Sequence, residues 1–299
     1  MLSAGGYCSE ARLPLVCRSI RAPPSERRVS ALSPGAQKRR QMLKSSLVGL
    51  TALAAVLSVS APAIAQTAPA AEPYTYVAEW NIPRAQWGTY LTDFDANTKP
   101  VLEKLAAAGT LISWGAFESI VHTPEGYTHG VWWSATSYAG IEKARLELVK
   151  AASGATSLAA ATAHRDYYMR SIAGGGKPGS GEGYLTVSSY LVKAGKGQEW
   201  KQLWEKNSKP LFDELVAKGA LTGYSIDVED VHTDSPMWRH VVTLSPSADA
   251  DDQFVAADDA ARAKLTPEER KTRGLMMEAV LEPGAHRDSY ARVVRFWRK

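Results

Sequence analysis

The chain reads as an α+β protein made of two tandem modules, each of β-α-β-β-α-β order, and three observations lead there. The second half repeats the first: Tyr74-x-x-Val77-x-x-Trp80 returns as Tyr184-x-x-Val187-x-x-Tyr190, and Asn97-x-Lys99-Pro100 as Asn207-x-Lys209-Pro210. Gly109-x-Leu111 likewise returns as Gly219-x-Leu221 and Val121-His122-Thr123 as Val231-His232-Thr233, all at an offset of 110 residues. A further pair, His164-Arg165-Asp166-x-Tyr168-x-Arg170 and His286-Arg287-Asp288-x-Tyr290-x-Arg292, sits at an offset of 122, which places 12 extra residues before the last element of the second copy. Finally, the apolar period alternates between strand-like and helix-like in the same order in both copies. Copies of about a hundred residues are two small domains of one fold, not a solenoid array.

Each module opens with a strand, in which Tyr74, Tyr76, Ala78, Trp80 and Ile82 alternate with Thr75, Val77 and Glu79; Tyr184 to Val192 follows suit. A helix comes next, with Trp87, Tyr90, Leu91, Phe94, Val101, Leu102 and Leu105 at helical spacing in the first copy. The second copy matches them with Trp200, Leu203, Trp204, Leu211 and Leu215. Pro100 and Pro210 fall inside this helix and deprive the carbonyls of Ala96 and Lys206 of a donor, which predicts a kink or break. Gly109 and Gly219 stand where a C-terminal cap belongs. Strands over 111–121 and 221–231, then 128–134 and 238–244, are expected next.

A second helical stretch follows, over 141–149 and an alanine-rich segment to Ala163 in the first copy. In the second it comprises the acidic tract Asp249–Asp259, read as a solvated loop, and a helix running to about Leu281. Thr266-Pro267-Glu268-Glu269 starts that helix as a capping box with proline in the first turn. The last strand carries the His-Arg-Asp motif. The modules span 72–173 and 184–299, and the glycine-rich run 174–183 between them has the composition of a flexible linker.

Residues 1–65 read as an address. Lys44, the apolar run Leu47–Val59 and Ala63-Ile64-Ala65 fit a signal peptide cleaved after Ala65, so a periplasmic or secreted destination is expected. Arg39-Arg40-Gln41-Met42-Leu43-Lys44 resembles a twin-arginine export motif; a start at Met42 instead of Met1 would leave an ordinary Sec-type signal. The leader holds nine of the 35 basic and two of the 31 acidic side chains, leaving 26 against 29, or a net charge of −3. The basic balance thus gives no argument for nucleic acid or membrane binding. Both cysteines, Cys8 and Cys17, also lie in the leader, so the remainder has no disulfide or thiolate and must rely on its core.

The element order is the ferredoxin-like plan, in which helices cover one sheet face and leave the other bare. The two modules, packed sheet to sheet through their bare faces, resemble the dimeric α+β barrel superfamily as a fused pseudo-dimer over roughly 72–299. That resemblance implies a superfamily range of small monooxygenases acting on polyketides, haem-binding and haem-degrading proteins, and ligand-binding members.

The strongest candidate for chemistry is the row His164, Asp166, Tyr168, Arg170 with its repeat His286, Asp288, Tyr290, Arg292. Alternation puts each set on one face, expected to be the interior between the sheets, with Met169 and Ala291 toward the helices. A histidine beside a carboxylate can act as acid or base, and a tyrosine and arginine can orient a carbonyl or an anion. The structural alternative pairs Asp166 with Arg165 or Arg170. Trp80, Trp114, Trp132, Tyr190 and Tyr224 supply aromatic surface for an apolar ligand. Asn97 and Asn207 sit at the helix break, where each would either hold a ligand or cap the restarted helix. His122 and His232 end the second strand and could approach the His-Arg-Asp row, but no metal-binding spacing supports a metal site. Haem would need an axial ligand such as His122 or His164, and nothing in the sequence demands it; the cofactor is unknown. No G-x-G-x-x-G leads from a strand into a helix, and P-loop and nucleophile-elbow motifs are absent from the sequence.

The leading expectation is therefore an exported small-molecule-binding protein whose site lies between sheets and helices. A cofactor-poor monooxygenase or isomerase using the His/Asp/Tyr/Arg row is the alternative, and a structural interaction module the third reading. Further homo-oligomerisation is left open.

Overall fold

Strand β1 (Tyr74–Asn81) alternates as its sequence demands, and its two neighbours set the course of the whole sheet. It pairs antiparallel with β3 (His129–Ala135) on one side and β4 (Ala163–Gly176) on the other. In the second half β5 (Gly179–Val192) lies in the same way between β7 (Trp238–Ser245) and β8 (Leu281–Arg298). With β2 (Ser113–Ser119) and β6 (Gly223–Glu229) these strands close an antiparallel barrel in the order β1-β3-β2-β8-β5-β7-β6-β4. This computed structural model describes residues 72–122, 126–231 and 238–299. The proposed leader, and His232 with it, lies outside the described residues.

The halves do not stack face to face as two sheets. They join edge to edge, through the β2–β8 and β4–β6 ladders, so the bare faces become the inside of one closed barrel. Closure removes the open edges that two separate sheets would expose. It also overturns the flexible-linker reading of 174–183. Gly174, Gly175 and Gly176 pair with β6, and Gly179 to Gly183 pair with β8, leaving Lys177 and Pro178 between the two strands. Glycine serves close approach here: a Cβ on Gly175 would stand 2.7 Å from the Tyr224 ring, and one on Gly183 2.3 Å from the Ser245 carbonyl oxygen.

The helices lie outside the barrel. In the first half they are α1 (Trp87–Asp93), a π-helical turn Phe94–Thr98, α2 (Lys99–Ala107), α3 (Tyr138–Ala152) and the short α4 (Thr156–Ala159). The second half has α5 (Gly197–Asn207), α6 (Lys209–Lys218), α7 (Ala248–Ala263) and α8 (Pro267–Val280). The Thr266–Glu269 capping box forms, and Gly109 and Gly219 take the left-handed conformation at φ 70° and 83°. The acidic tract is not a loop. Ser247 caps it and Asp249 and Asp251 sit in its first turn, where the helix dipole favours negative charge, so α7 runs straight through it.

The two prolines are absorbed differently. Pro100 follows the π-helical turn, and the Asn97 amide donates to the Asp93 carbonyl at 3.0 Å instead of capping the restarted helix. At Pro210 the helix breaks outright at Ser208, between α5 and α6.

Each half has its own sheet-to-helix core. Leu102, Leu105, Leu111 and Ile141 are almost fully buried in the first, and Trp200, Leu221, Ile226 and Val280 in the second. A third cluster fills part of the barrel interior, with Phe117, Ala291, Val293 and Phe296 backed by Val77 and Trp132. There Trp132 lies over Gly115 and Phe117 over Gly130, each ring covering the glycine directly across the strand pair.

Candidate functional site

The His-Arg-Asp row points the opposite way from the expectation. Met169 and Ala291 are buried on the barrel-interior side, while Tyr168 packs with Tyr74, Tyr76 and Trp133 against the helices of the first half. The reversal has a simple cause. Aromatic residues occupy both faces of β3, Trp132 inside and Trp133 outside, so alternation alone does not identify the helix-covered face.

On that outer face, between the sheet and α1, α3 and α4, lies a cavity of about 170 Å3. Its walls are mostly apolar: Ala78, Phe94, Val131, Trp133, Leu148, Ala152 and Leu158. One end is polar. Trp80 stands opposite His164 in the β1–β4 ladder and the two rings stack at 5.0 Å, while His164 Nε2 meets Asp166 Oδ1 at 3.0 Å. The side chains of His164 and Asp166 are 48% and 39% exposed, so the pair stands at the mouth, reachable from both solvent and cavity. Tyr76, which the sequence reading had only as a strand residue, completes this end. Burial, then the hydrogen bond to Asp166 and its charge, raise the Tyr76 hydroxyl above its ordinary range, so it stays a neutral donor to that carboxylate. Arg145, held by Glu142 at 2.7 Å, is the cation on the wall.

The opposite wall depends on a latch with no sequence signature. Asp93 at the end of α1 accepts from the Ser157 amide at 2.7 Å and hydroxyl at 2.6 Å, and from the Thr156 hydroxyl at 3.3 Å, tying α4 across the cavity. Burial alone would raise the Asp93 carboxyl, but the hydrogen bonds from Ser157 and Thr156 outweigh it and hold the group below its ordinary 3.8. With its folded value depressed, Asp93 contributes stability above pH 3.8 that is lost as pH falls through the folded value. Asp93→Ala should lower stability by about 2 kcal/mol at neutral pH. Asp93→Asn should flatten the acid limb of a thermal-melt pH series below pH 4; an unchanged limb would show that the latch is not formed.

The other expected residues fall in different places. Arg170 pairs with Glu72 and Asp230, and Arg165 with Glu79, so neither holds Asp166. Tyr168 is half-buried, with its hydroxyl shielded and unpartnered among the described residues and pushed up to about 12 by burial. Trp114 is core beneath α2, Trp132 belongs to the barrel interior, and Asn97 serves the helix backbone. His122 is exposed with its ring 4.8 Å from Trp87, away from the row.

In the second half His286 meets Asp288 at 3.1 Å and stacks on Tyr190 at 4.5 Å, repeating the first. The surroundings differ. Thr186 stands where the first half has Tyr76, Leu203 where it has Asp93, and Trp204 where it has Phe94. Asp288 takes the Ser188 hydroxyl at 2.6 Å, Tyr290 donates to Asp251, and Arg292 pairs with Glu182. Tyr224 is locked to Asp213, Trp204 packs on Phe212 and Tyr224, and Asn207 ends α5. The constellation around the cavity therefore belongs to the first half, although the dyad is duplicated.

Among the described residues no group of three or more His, Cys, Asp or Glu side chains converges as a metal ion requires. Haem does not fit the cavity either. At about 170 Å3 it is too small for a macrocycle, and His164 Nε2 is already engaged by Asp166. No described helix is long and apolar enough to cross a membrane.

No protein-family model matches the sequence, and no curated protein matches it. Solved structures do share the architecture. A candidate monooxygenase from Lactobacillus acidophilus NCFM is 10% identical, with 76% of this chain and 96% of that one covered at a TM-score of 0.52. A candidate monooxygenase from Fusobacterium nucleatum subsp. nucleatum ATCC 25586 is 8% identical, with 77% and 95% covered at a TM-score of 0.56. At these identities the likeness is one of fold: a mixed α+β chain built on an eight-stranded antiparallel barrel.

Proposed function

We propose that this is an exported protein of two fused ferredoxin-like modules that binds a small, flat, largely apolar molecule in the first half. The carrying observation is the cavity between sheet and helices, apolar on its walls and lined at its mouth by Tyr76, Asp166 and His164. Its volume is near the roughly 150 Å3 that holds a benzene in a dry engineered cavity, so one ring with a few substituents is the right size. A polar substituent on that ring would meet the His164–Asp166 pair, a polar anchor of the kind that fixes orientation in such pockets.

A second reading is favoured by the same dyad. His164, oriented through Asp166, is placed to take a proton from a bound hydroxyl or an acidic carbon, the opening step of a cofactor-poor oxygenation or an isomerisation. Two proteins of like fold are named as candidate monooxygenases, which adds weight by analogy alone. The test for binding uses the tryptophan fluorescence of Trp80 and Trp133, both on the cavity wall, titrated with phenol and toluene. Saturable quenching that Ala152→Trp abolishes by filling the cavity supports the reading. Quenching that persists in that variant, or its absence in the parent at millimolar phenol, overturns it.

A further inference from the structure

The repeat offset of 110 residues puts Gly197 where the first half has Trp87, and Arg239 where it has His129. In the first half the rings of Trp87 and Tyr90 stand 5.6 and 4.4 Å from His129, and burial holds that histidine down to about 4, a neutral side chain. The second half has traded this neutral packing for a permanent cation. Gly197 is the first residue of α5, and a Cβ there would sit 3.0 Å from Arg239 Nη2, so the guanidinium lies against the start of that helix.

Arg239 is only 8% exposed, yet among the described residues its Nε has no partner and its one hydrogen-bond acceptor is the neighbouring Trp238 carbonyl at 3.3 Å. Glu229, the nearby acid, is engaged by His240 at 3.2 Å, and the charge of Arg170 adds repulsion. The 11-residue helix α5 has no side-chain cap, and Glu199, the acid in its first turn, is paired with Lys196 at 2.7 Å, so the first-turn N–H groups have no side-chain acceptor among the described residues at the end that Arg239 approaches. A buried guanidinium whose one acidic neighbour, Glu229, is shared with His240 is incompletely neutralised, and an uncapped helix N-terminus favours negative charge.

We propose that the second half holds a compact oxyanion between Arg239 and the N-terminus of α5. The guanidinium fork and the helix N–H groups would both donate to its oxygens, the combination that recurs where proteins bind phosphate or carboxylate groups. This site is separate from the first-half cavity, and does not depend on that cavity being occupied.

The experiment is thermal unfolding of the full chain in phosphate, acetate or chloride at constant ionic strength. Phosphate or acetate should raise the midpoint saturably, by about 2–4 °C once several-fold above its Kd, and chloride should not. The stronger of the two distinguishes a tetrahedral from a planar oxyanion. Arg239→Gln should remove the rise. Gly197→Asp places a carboxylate beside the guanidinium, and should melt above the parent while losing the phosphate and acetate response. Equal midpoints in all three salts, or a response that survives in either variant, would overturn the site.

Discussion

Gly183→Ala is expected to lower stability by about 3 kcal/mol, seen as a fall of about 6–12 °C in the thermal midpoint. The reason lies in how the barrel closes. The β5–β8 ladder shifts register between Gly181 and Gly183, and this irregularity brings β5 down onto the end of β7. A Cβ at Gly183 would stand 2.3 Å from the Ser245 carbonyl oxygen, a backbone atom that can yield only if the strands part. Gly179→Ala is the control, because no atom lies within 4 Å of a Cβ there. It should melt with the parent. Equal melts for both variants would mean that the ladder does not close at this position.

The same glycine run shows where the sequence stops being legible. Composition alone makes 174–183 a linker, because glycine's lack of a side chain says nothing of what lies against it. The structure has Tyr224, Arg298 and Ser245 crowding those positions, contacts between elements tens of residues apart. The element order, the glycine caps and the capping box were readable because each is written locally in residue type and spacing. So was the His164–Asp166 pair, which two-residue spacing on a strand puts on one face.

The facing of that strand was not readable. Trp80 and Trp132 look like members of one aromatic face, but Trp80 packs against helices and Trp132 fills the barrel. Asp93 escaped notice for another reason. Its partners, Ser157 and Thr156, are more than 60 residues away in a stretch that reads only as alanine-rich. The one sequence signal that could have set the first-half cavity apart is divergence between the repeats: Tyr76, Asp93 and Phe94 against Thr186, Leu203 and Trp204.

That divergence sets up the second large effect. His164→Phe should weaken phenol binding several-fold, as expected for losing one hydrogen bond at the half-exposed mouth of the cavity. Phenylalanine keeps a ring over Trp80 and removes only the nitrogens, so toluene affinity should not change. Stability should move by no more than about 0.5 kcal/mol, because the imidazole is half exposed and its partner Asp166 still reaches solvent. His286→Phe makes the identical chemical change on the identical motif, with Tyr190 in place of Trp80 beneath the ring. It should leave both ligands unaffected, since Thr186, Leu203 and Trp204 have replaced the residues that shape the cavity. Two other results are diagnostic. If both variants lose phenol binding equally, the two halves act as equivalent sites and the divergence around them has no functional meaning. If His164→Phe instead lowers the melting midpoint by several degrees and spares phenol, the dyad is a structural pair, and the polar end of the cavity is Tyr76 and Arg145 alone.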